Sequence, residues 1–184
     1  MELKELLKEC KNNRVSAQKC LFDTFASNTF LLCRRYLKSD EDAEEMMFNG
    51  YLKIFKGANQ FNYSSEAAVW AWIKKIMVNE CLMHLRKKET FLLSVDLVNE
   101  EQSNDETALE KLSADEIYKL ITQLPIGYRT VFNLFAIEGY SHKEISATLN
   151  ITEGTSKSQL SKAKKMLQQL ISHNENDYEK RDIR

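Results

Sequence analysis

Along the first part of the chain, apolar residues recur at intervals of three and four: Leu3, Leu6 and Leu7, then Leu21, Phe22 and Phe25, then Phe30, Leu31 and Cys33. That spacing places them on one side of a rod with about 3.6 residues per turn, so amphipathic helices are expected from Leu3 to about Leu37. A break near Ser39 follows. Ser39 or Asp40 can cap the next helix, whose first turn holds Glu41, Asp42, Glu44 and Glu45 where the helix dipole favours negative charge. Its apolar positions are Met46, Met47, Tyr51, Leu52, Ile54 and Phe55. The pattern fails between Lys56 and Ser64 and resumes in a long helix expected from about Glu66 to Lys88, with Val69, Trp72, Ile73, Ile76 and Met77 as its core face. Lys75, Asn79, Met83 and Arg86, spaced by four, four and three, form a second line along the same rod. Such a line suits nucleic acid; it is equally the pattern of a solvated helical face.

Farther on, Ala114 to Leu124 reads as a helix stopped by Pro125, and a second helix is expected from about Ile126 to Glu138. Ser141 and Glu144 then make a capping box, and Asn150 can take the left-handed turn that ends the short helix so opened. Thr152, Glu153 and Thr155 start another helix that continues through Leu167. Small Ala147 would let the two helices approach, with Ile145, Leu149, Ile151 and Leu160 filling their angle, which is the pattern of a helix-turn-helix. Ser, Thr, Lys and Gln dominate the outer side of its second helix. Short hydroxyls and amides can reach base edges and phosphates while Lys neutralises the backbone, although a polar face can also be plain solvent surface.

Composition narrows the class. A chain of 184 residues with 43% hydrophobic and 29% charged residues has a core to bury, and one Pro with five Gly is too few for the tight turns of a sandwich or barrel. No stretch approaches the roughly 20 apolar residues that cross a bilayer, and Met1-Glu2-Leu3-Lys4-Glu5 does not resemble a signal peptide, so a cytoplasmic protein is expected. Cys10, Cys20, Cys33 and Cys81 show no metal-ligand spacing and read as reduced thiols, mostly small core residues. His84, His142 and His173 lie far apart in sequence, and no phosphate loop, nucleophile elbow or zinc-protease motif occurs, so no enzyme, metal or cofactor is expected.

Charge changes the picture more. The formal net charge of −1 hides a net +4 over residues 1–88, −8 over 89–116 and +4 over 117–172, with −1 in the tail. Two basic bodies flank an acidic strap. Running through Glu100-Glu101-Gln102-Ser103-Asn104-Asp105-Glu106, it is poor in apolar residues and self-repelling, and reads as a flexible linker, with a solvated surface loop as the alternative.

With both halves in view, the chain resembles the sigma-70 family of bacterial RNA polymerase initiation factors, specifically the extracytoplasmic-function subgroup, over about residues 15–172. Asp42-Ala43-Glu44-Glu45 with Tyr51-Leu52-Lys53-Ile54-Phe55 resembles that family's polymerase-binding helix. Ala71 to Asn79, ending in His84-Leu85-Arg86-Lys87-Lys88, resembles its promoter-melting helix, and Leu124 to Phe132 with Gly139 to Ile145 and Glu153 to Ser158 resembles the domain that reads the upstream promoter element. The implied fold is all-α: a region 2-like bundle over 1–90, an acidic linker over 91–113, a region 4-like helix-turn-helix over 114–172 and a polar, fraying tail over 173–184.

The resemblance also implies roles. Asp42, Glu45, Asn49 and Lys53 would dock on core RNA polymerase. Asn62, Tyr63 and Ser64, in a loop over 59–65, would capture an unstacked base at the minus-ten element, where Phe61 and Tyr63 read equally as packing residues. Lys75, Asn79, Arg86 and Lys87 would hold the adjoining DNA. Thr155, Ser156, Lys157, Ser158, Gln159 and Lys162 would contact the minus-thirty-five element, with Lys164 and Lys165 on phosphates. Partners implied are core polymerase, promoter DNA and, from the subgroup alone, an anti-sigma factor. Phe48 stands where many relatives carry Gln, Asn49 and Gly50 replace commoner Glu and Thr or Val, and Gln159 replaces a frequent Arg that would read guanine. A stand-alone helix-turn-helix regulator is the alternative function.

Overall fold

The computed structural model describes residues 2–87 and 114–181, and every regular element among them is helical. The chain divides into two compact units between Lys88 and Glu89. The acidic linker expected at 91–113 lies outside the described residues.

The first unit contains α1 (Leu3–Lys11), α2 (Val15–Leu37), α3 (Asp40–Gly57) and α4 (Glu66–Lys87), with a 3-10 turn at Ala58–Gln60 after α3. Helices α2, α3 and α4 each pack on the other two, and α1 lies on α2. The cap expected at Ser39 forms, and Ser65, one residue beyond the broken segment, caps α4. Ser39 Oγ accepts from the Asp42 amide at 3.1 Å, and Ser65 Oγ from the Ala68 amide at 3.1 Å, satisfying donors that have no partner inside the helix. The sharp reversals put Asn13 (φ 56°) and Lys38 (φ 67°) in left-handed backbone, easier for Asn than for Lys. Cys10, Cys33 and Cys81 are buried and Cys20 is exposed, all four as free thiols. Burial pushes the Cys10 thiol up to about 11, and a hydrogen bond donated by the Cys81 thiol to Cys33 together with burial raises Cys81 well above its ordinary value, so both stay protonated.

The core face expected on α4 is corrected in part. Val69, Ile73 and Met77 are fully buried, whereas Trp72 and Ile76 are only half-buried at the edge of the bundle. Their place inside is taken by Val78, Cys81, Leu82 and Leu85. Gly50 explains how near α3 and α4 come: a Cβ there would stand 2.4 Å from the sulfur of fully buried Met77. The commoner Thr or Val would require the buried thioether of this methionine to move.

The second unit contains α5 (Ala114–Gln123), α6 (Ile126–Phe132), α7 (His142–Leu149) and α8 (Glu153–Arg181). The single helix expected to reach Glu138 is broken: after α6 the backbone widens into a π-helical turn at Asn133–Ile137, closed by the Glu138 amide on Asn133 O at 2.9 Å, and leaves through Gly139 at φ 78°. The capping box of Ser141 and Glu144 is present, and Asn150 is left-handed at φ 56°, ψ 47°. Ala147, expected at the helix contact, is exposed; the small residue that lets helices meet is Ala163 of α8, at 0% exposure. The α8 backbone is helical to Arg181. No Gly or Pro follows Gly154 to stop it.

Arg129, not singled out from sequence, is 4% exposed and donates from Nη1 to Leu124 O at 3.0 Å and Thr122 O at 3.4 Å. It satisfies carbonyls at the end of α5 that have no partner within that helix. Burial draws the guanidinium down to about 10, against the opposing effect of Tyr118, so it remains charged at neutral pH.

Replacing Gly50 with Val should lower the stability of the full chain by about 1–3 kcal/mol in urea denaturation. Combining it with Met77→Ala should cost less than the sum of the two single changes, because the two side chains compete for one space.

Candidate nucleic-acid interface and docking helix

The line read on α4 exists as a surface. Lys75, Asn79, Met83, Arg86 and Lys87 are all exposed, and the half-buried Trp72 and Ile76 lie on the same side of the helix. Trp72 joins this line to the preceding loop: its ring stacks on Phe61 with centroids 4.5 Å apart, and its Cζ2 lies 3.7 Å from where a Cβ on Gly57 would be. Lys11 Nζ donates to Phe61 O at 2.9 Å, tying the loop to α1. Phe61 is therefore a packing residue, while Asn62 and Ser64 are exposed and Tyr63 half-exposed beside it. Sequence reasoning missed Lys11 and the surface side of Trp72. Lys11 carried no signal, but Trp72 stands three residues before Lys75, at the spacing that continues the line.

On α3, Glu45 is exposed and Asn49 half-exposed, but the other two docking candidates already have intramolecular partners. Asp42 Oδ1 lies 3.4 Å from His84 Nε2 of α4, with its side chain 23% exposed. Lys53 Nζ donates to Oε1 of Glu80, a carboxylate on α4 that is almost fully buried. Glu80 drew no attention in the sequence, where it sits unmarked beside Asn79.

In the second unit the recognition-like helix α8 begins with Thr152, whose Oγ1 accepts from the Thr155 amide at 3.0 Å and bonds Thr155 Oγ1 at 2.9 Å. Lys157 and Lys165 are exposed, and Thr155, Ser158, Lys162 and Lys164 partly so. Lys162 Nζ stands 6.0 Å over the Tyr128 ring, within reach of a cation–π contact. Ser156 and Gln159 correct the sequence reading, for they are 0% and 6% exposed and face inward. Ser156 Oγ is hydrogen-bonded to His142 Nδ1 at 2.9 Å, and that imidazole stacks on Phe135 at 4.5 Å. These groups brace α8 against α7 instead of reaching outward. The outward side adds Gly154, which is exposed, and Ser161, which is half-exposed. Both could have been found from the helical angle they share with Lys157 and Lys165.

Among the described residues, no group of three or more His, Cys, Asp and Glu is placed to hold a metal ion, and no helix is long and apolar enough to cross a membrane. What the two units present are polar, cationic helix faces and one acidic helix.

The family model for Sigma-70 region 2 matches residues 21–90, and that for Sigma-70 region 4 matches residues 114–167. The chain belongs to the sigma-70 family. It is an extracytoplasmic-function RNA polymerase sigma factor for transcription initiation, a non-catalytic subunit that acts with core polymerase. The region 2 match separates it from a stand-alone helix-turn-helix regulator. Among curated relatives, it is 29% identical over 146 residues to the ECF RNA polymerase sigma factor SigM of Mycobacterium tuberculosis, covering 77% of this chain and 70% of that protein. It is 24% identical over 184 residues to the ECF RNA polymerase sigma factor SigW of Bacillus subtilis, covering 93% of this chain and 97% of that one. Among solved structures, the sigma factor RpoE of Bartonella quintana, crystallised with the anti-sigma factor NepR, shares the fold. Its TM-score is 0.51 at 21% identity, over 84% of this chain and 96% of that chain.

Two predictions follow from the buried polar contacts of this sigma factor. Lys53→Met leaves the Glu80 carboxylate without its cation and should destabilise the protein by about 1–3 kcal/mol in urea, whereas Lys87→Met should be close to neutral. Burial, with Lys157 acting alongside and Glu153 against, holds His142 below its ordinary value of 6.5. The unfolded chain therefore takes up this proton more readily. The stability linked to His142 is complete above the ordinary value and declines as pH falls from there through the folded value. Thermal melts from about pH 8 to about pH 5 should show this loss, reduced in His142→Gln.

Proposed function

We propose that this sigma factor works in the cytoplasm, docking on core polymerase through the exposed side of α3 and engaging the minus-ten element with the 59–65 loop and α4. Region 4-like helix α8 would read the minus-thirty-five element. The single observation that carries the minus-ten assignment is the stack of Phe61 on Trp72, which sets the loop beside the line of Lys75, Asn79, Arg86 and Lys87. Asn62, Tyr63 and Ser64 would offer hydrogen bonds and a ring to a base drawn out of the duplex, a step costing a few kcal/mol, while the cations hold the backbone beside it.

On α8, Thr155, Lys157, Ser158 and Lys162 would meet the groove, Lys164 and Lys165 the phosphates, and Gly154 and Ser161 would join them. Ser156 and Gln159 would act from inside by setting the pose of α8. The domain boundaries at 90, 113 and 172 belong to the same proposal. Because the related RpoE was crystallised with an anti-sigma factor, we extend to this chain control by an anti-sigma protein.

Purified full-length protein, added to core polymerase of the source bacterium, should start transcription at sites mapped after overexpression in cells. A folded protein that binds core but starts nothing there would overturn the assignment. Within that assay, Arg86→Ala should slow promoter opening. Lys157→Ala should weaken promoter binding across sequences and reduce the slope of log affinity against log salt by about 1, as read by titration at several salt concentrations.

A further inference from the structure

Four aromatic rings form a row along the α2–α3 pair. Phe22 of α2 stacks on Phe48 of α3 with centroids 5.8 Å apart and planes within 5°, and tilts against Tyr51 at 4.8 Å. Tyr51 in turn meets Phe55 at 5.9 Å. Tyr51 is buried, with its hydroxyl 3.2 Å from Thr29 Oγ1. Phe48 is 52% exposed and Leu52, one turn farther on, 56%. A single exposed apolar residue calls for no explanation. Here two large ones stand together at i and i+4, and one rests on a second ring. Helix α3 is already held to the bundle by Ala43, Met46, Met47, Tyr51 and Ile54, so its packing does not require them.

We propose that Phe48 and Leu52, braced by Phe22, are the apolar anchor by which α3 docks on core RNA polymerase. The proposal rests on the reading of α3 as the docking helix and names the residues that carry most of its binding. Two of the four polar candidates are drawn away from that role, Asp42 by His84 and Lys53 by Glu80. The exposed Glu45 and half-exposed Asn49 remain, and Phe48 and Leu52 follow Glu45 at three and seven residues, continuing the same stripe. Aromatic and aliphatic side chains that lose all their water within a polar rim carry most of the energy of a protein interface. A ring already stacked on Phe22 has less rotamer freedom to lose on docking. The matching polymerase surface is an apolar groove or helix face with a basic side chain opposite Glu45.

The test titrates fluorescently labelled full-length protein with core polymerase of the source bacterium. Phe48→Ala and Leu52→Ala should each weaken binding at least tenfold, about 1.4 kcal/mol, with unchanged thermal melts. Phe48→Met should restore most of the affinity, and Leu31→Gln, which alters a comparably exposed residue of α2 outside the row, should have no effect. If the wild type binds and both alanine variants bind within twofold of it, the anchor is refuted while the docking reading survives. A wild type that fails to bind core refutes that reading itself. If either variant unfolds, the other decides. Sedimentation showing a wild-type dimer that Phe48→Ala dissolves, with polymerase binding intact, would assign the row to a second copy and also overturn the proposal.

Discussion

The amino-terminal unit depends on the contact of α3 with α4, and a glycine on α3 stands where that contact meets a buried methionine. Gly50 leaves the room that Met77 fills. With the helices this near, the inner side of α4, from Val69 through Ile73 and Met77 to Cys81 and Leu85, is held over its length. Its outer side is then held as well, because a helix is stiff and its two faces turn together. Lys75, Asn79 and Arg86 are presented as a fixed row because of what happens on the opposite side of the same rod. The ion pair of Lys53 with Glu80 and the contact of Asp42 with His84 join the same two helices through polar groups.

A comparable division of labour operates in the carboxy-terminal unit. The inner side of α8 packs Leu160, Ala163 and Leu167 and binds His142 through Ser156, while Lys157 and Lys165 stay outside. The caps at Ser141 and Asn150 set where α7 begins and ends, and Thr152 sets where α8 begins. A recognition helix gains from such bracing because a side chain held in place loses less freedom on meeting DNA than one that must first be ordered. In both units, buried polar contacts orient the faces proposed to meet DNA and polymerase.

The docking and DNA engagement we propose would impose different chemistry on neighbouring helices. On α3, acidic residues of the first turn give way to the exposed Phe48 and Leu52. On α4, cations and an amide line the exposed side, and the Trp72 and Phe61 rings connect it to the loop. A mainly apolar contact suits lasting association with a protein, whereas a cationic one suits a polyanion and weakens as salt rises.

The periodic apolar residues, the Ser and Asn caps and the charge blocks settled from sequence that the chain is helical and where most helices begin and end, because these signals act within a few residues of themselves. They also placed Lys75, Asn79 and Arg86 on one line and Glu45 on an exposed acidic helix. The fully buried Ser156 and nearly buried Gln159, the half-buried Trp72, the exposed Ala147 and the π-helical turn after Phe132 were not legible in the same way. Which side of a polar helix faces inward depends on the neighbours that cover it, and those neighbours are distant in sequence: His142 for Ser156, Phe61 for Trp72, Glu80 for Lys53. Local pattern determined the elements; only the packing of one element on another decided which of their polar residues remain available to a partner.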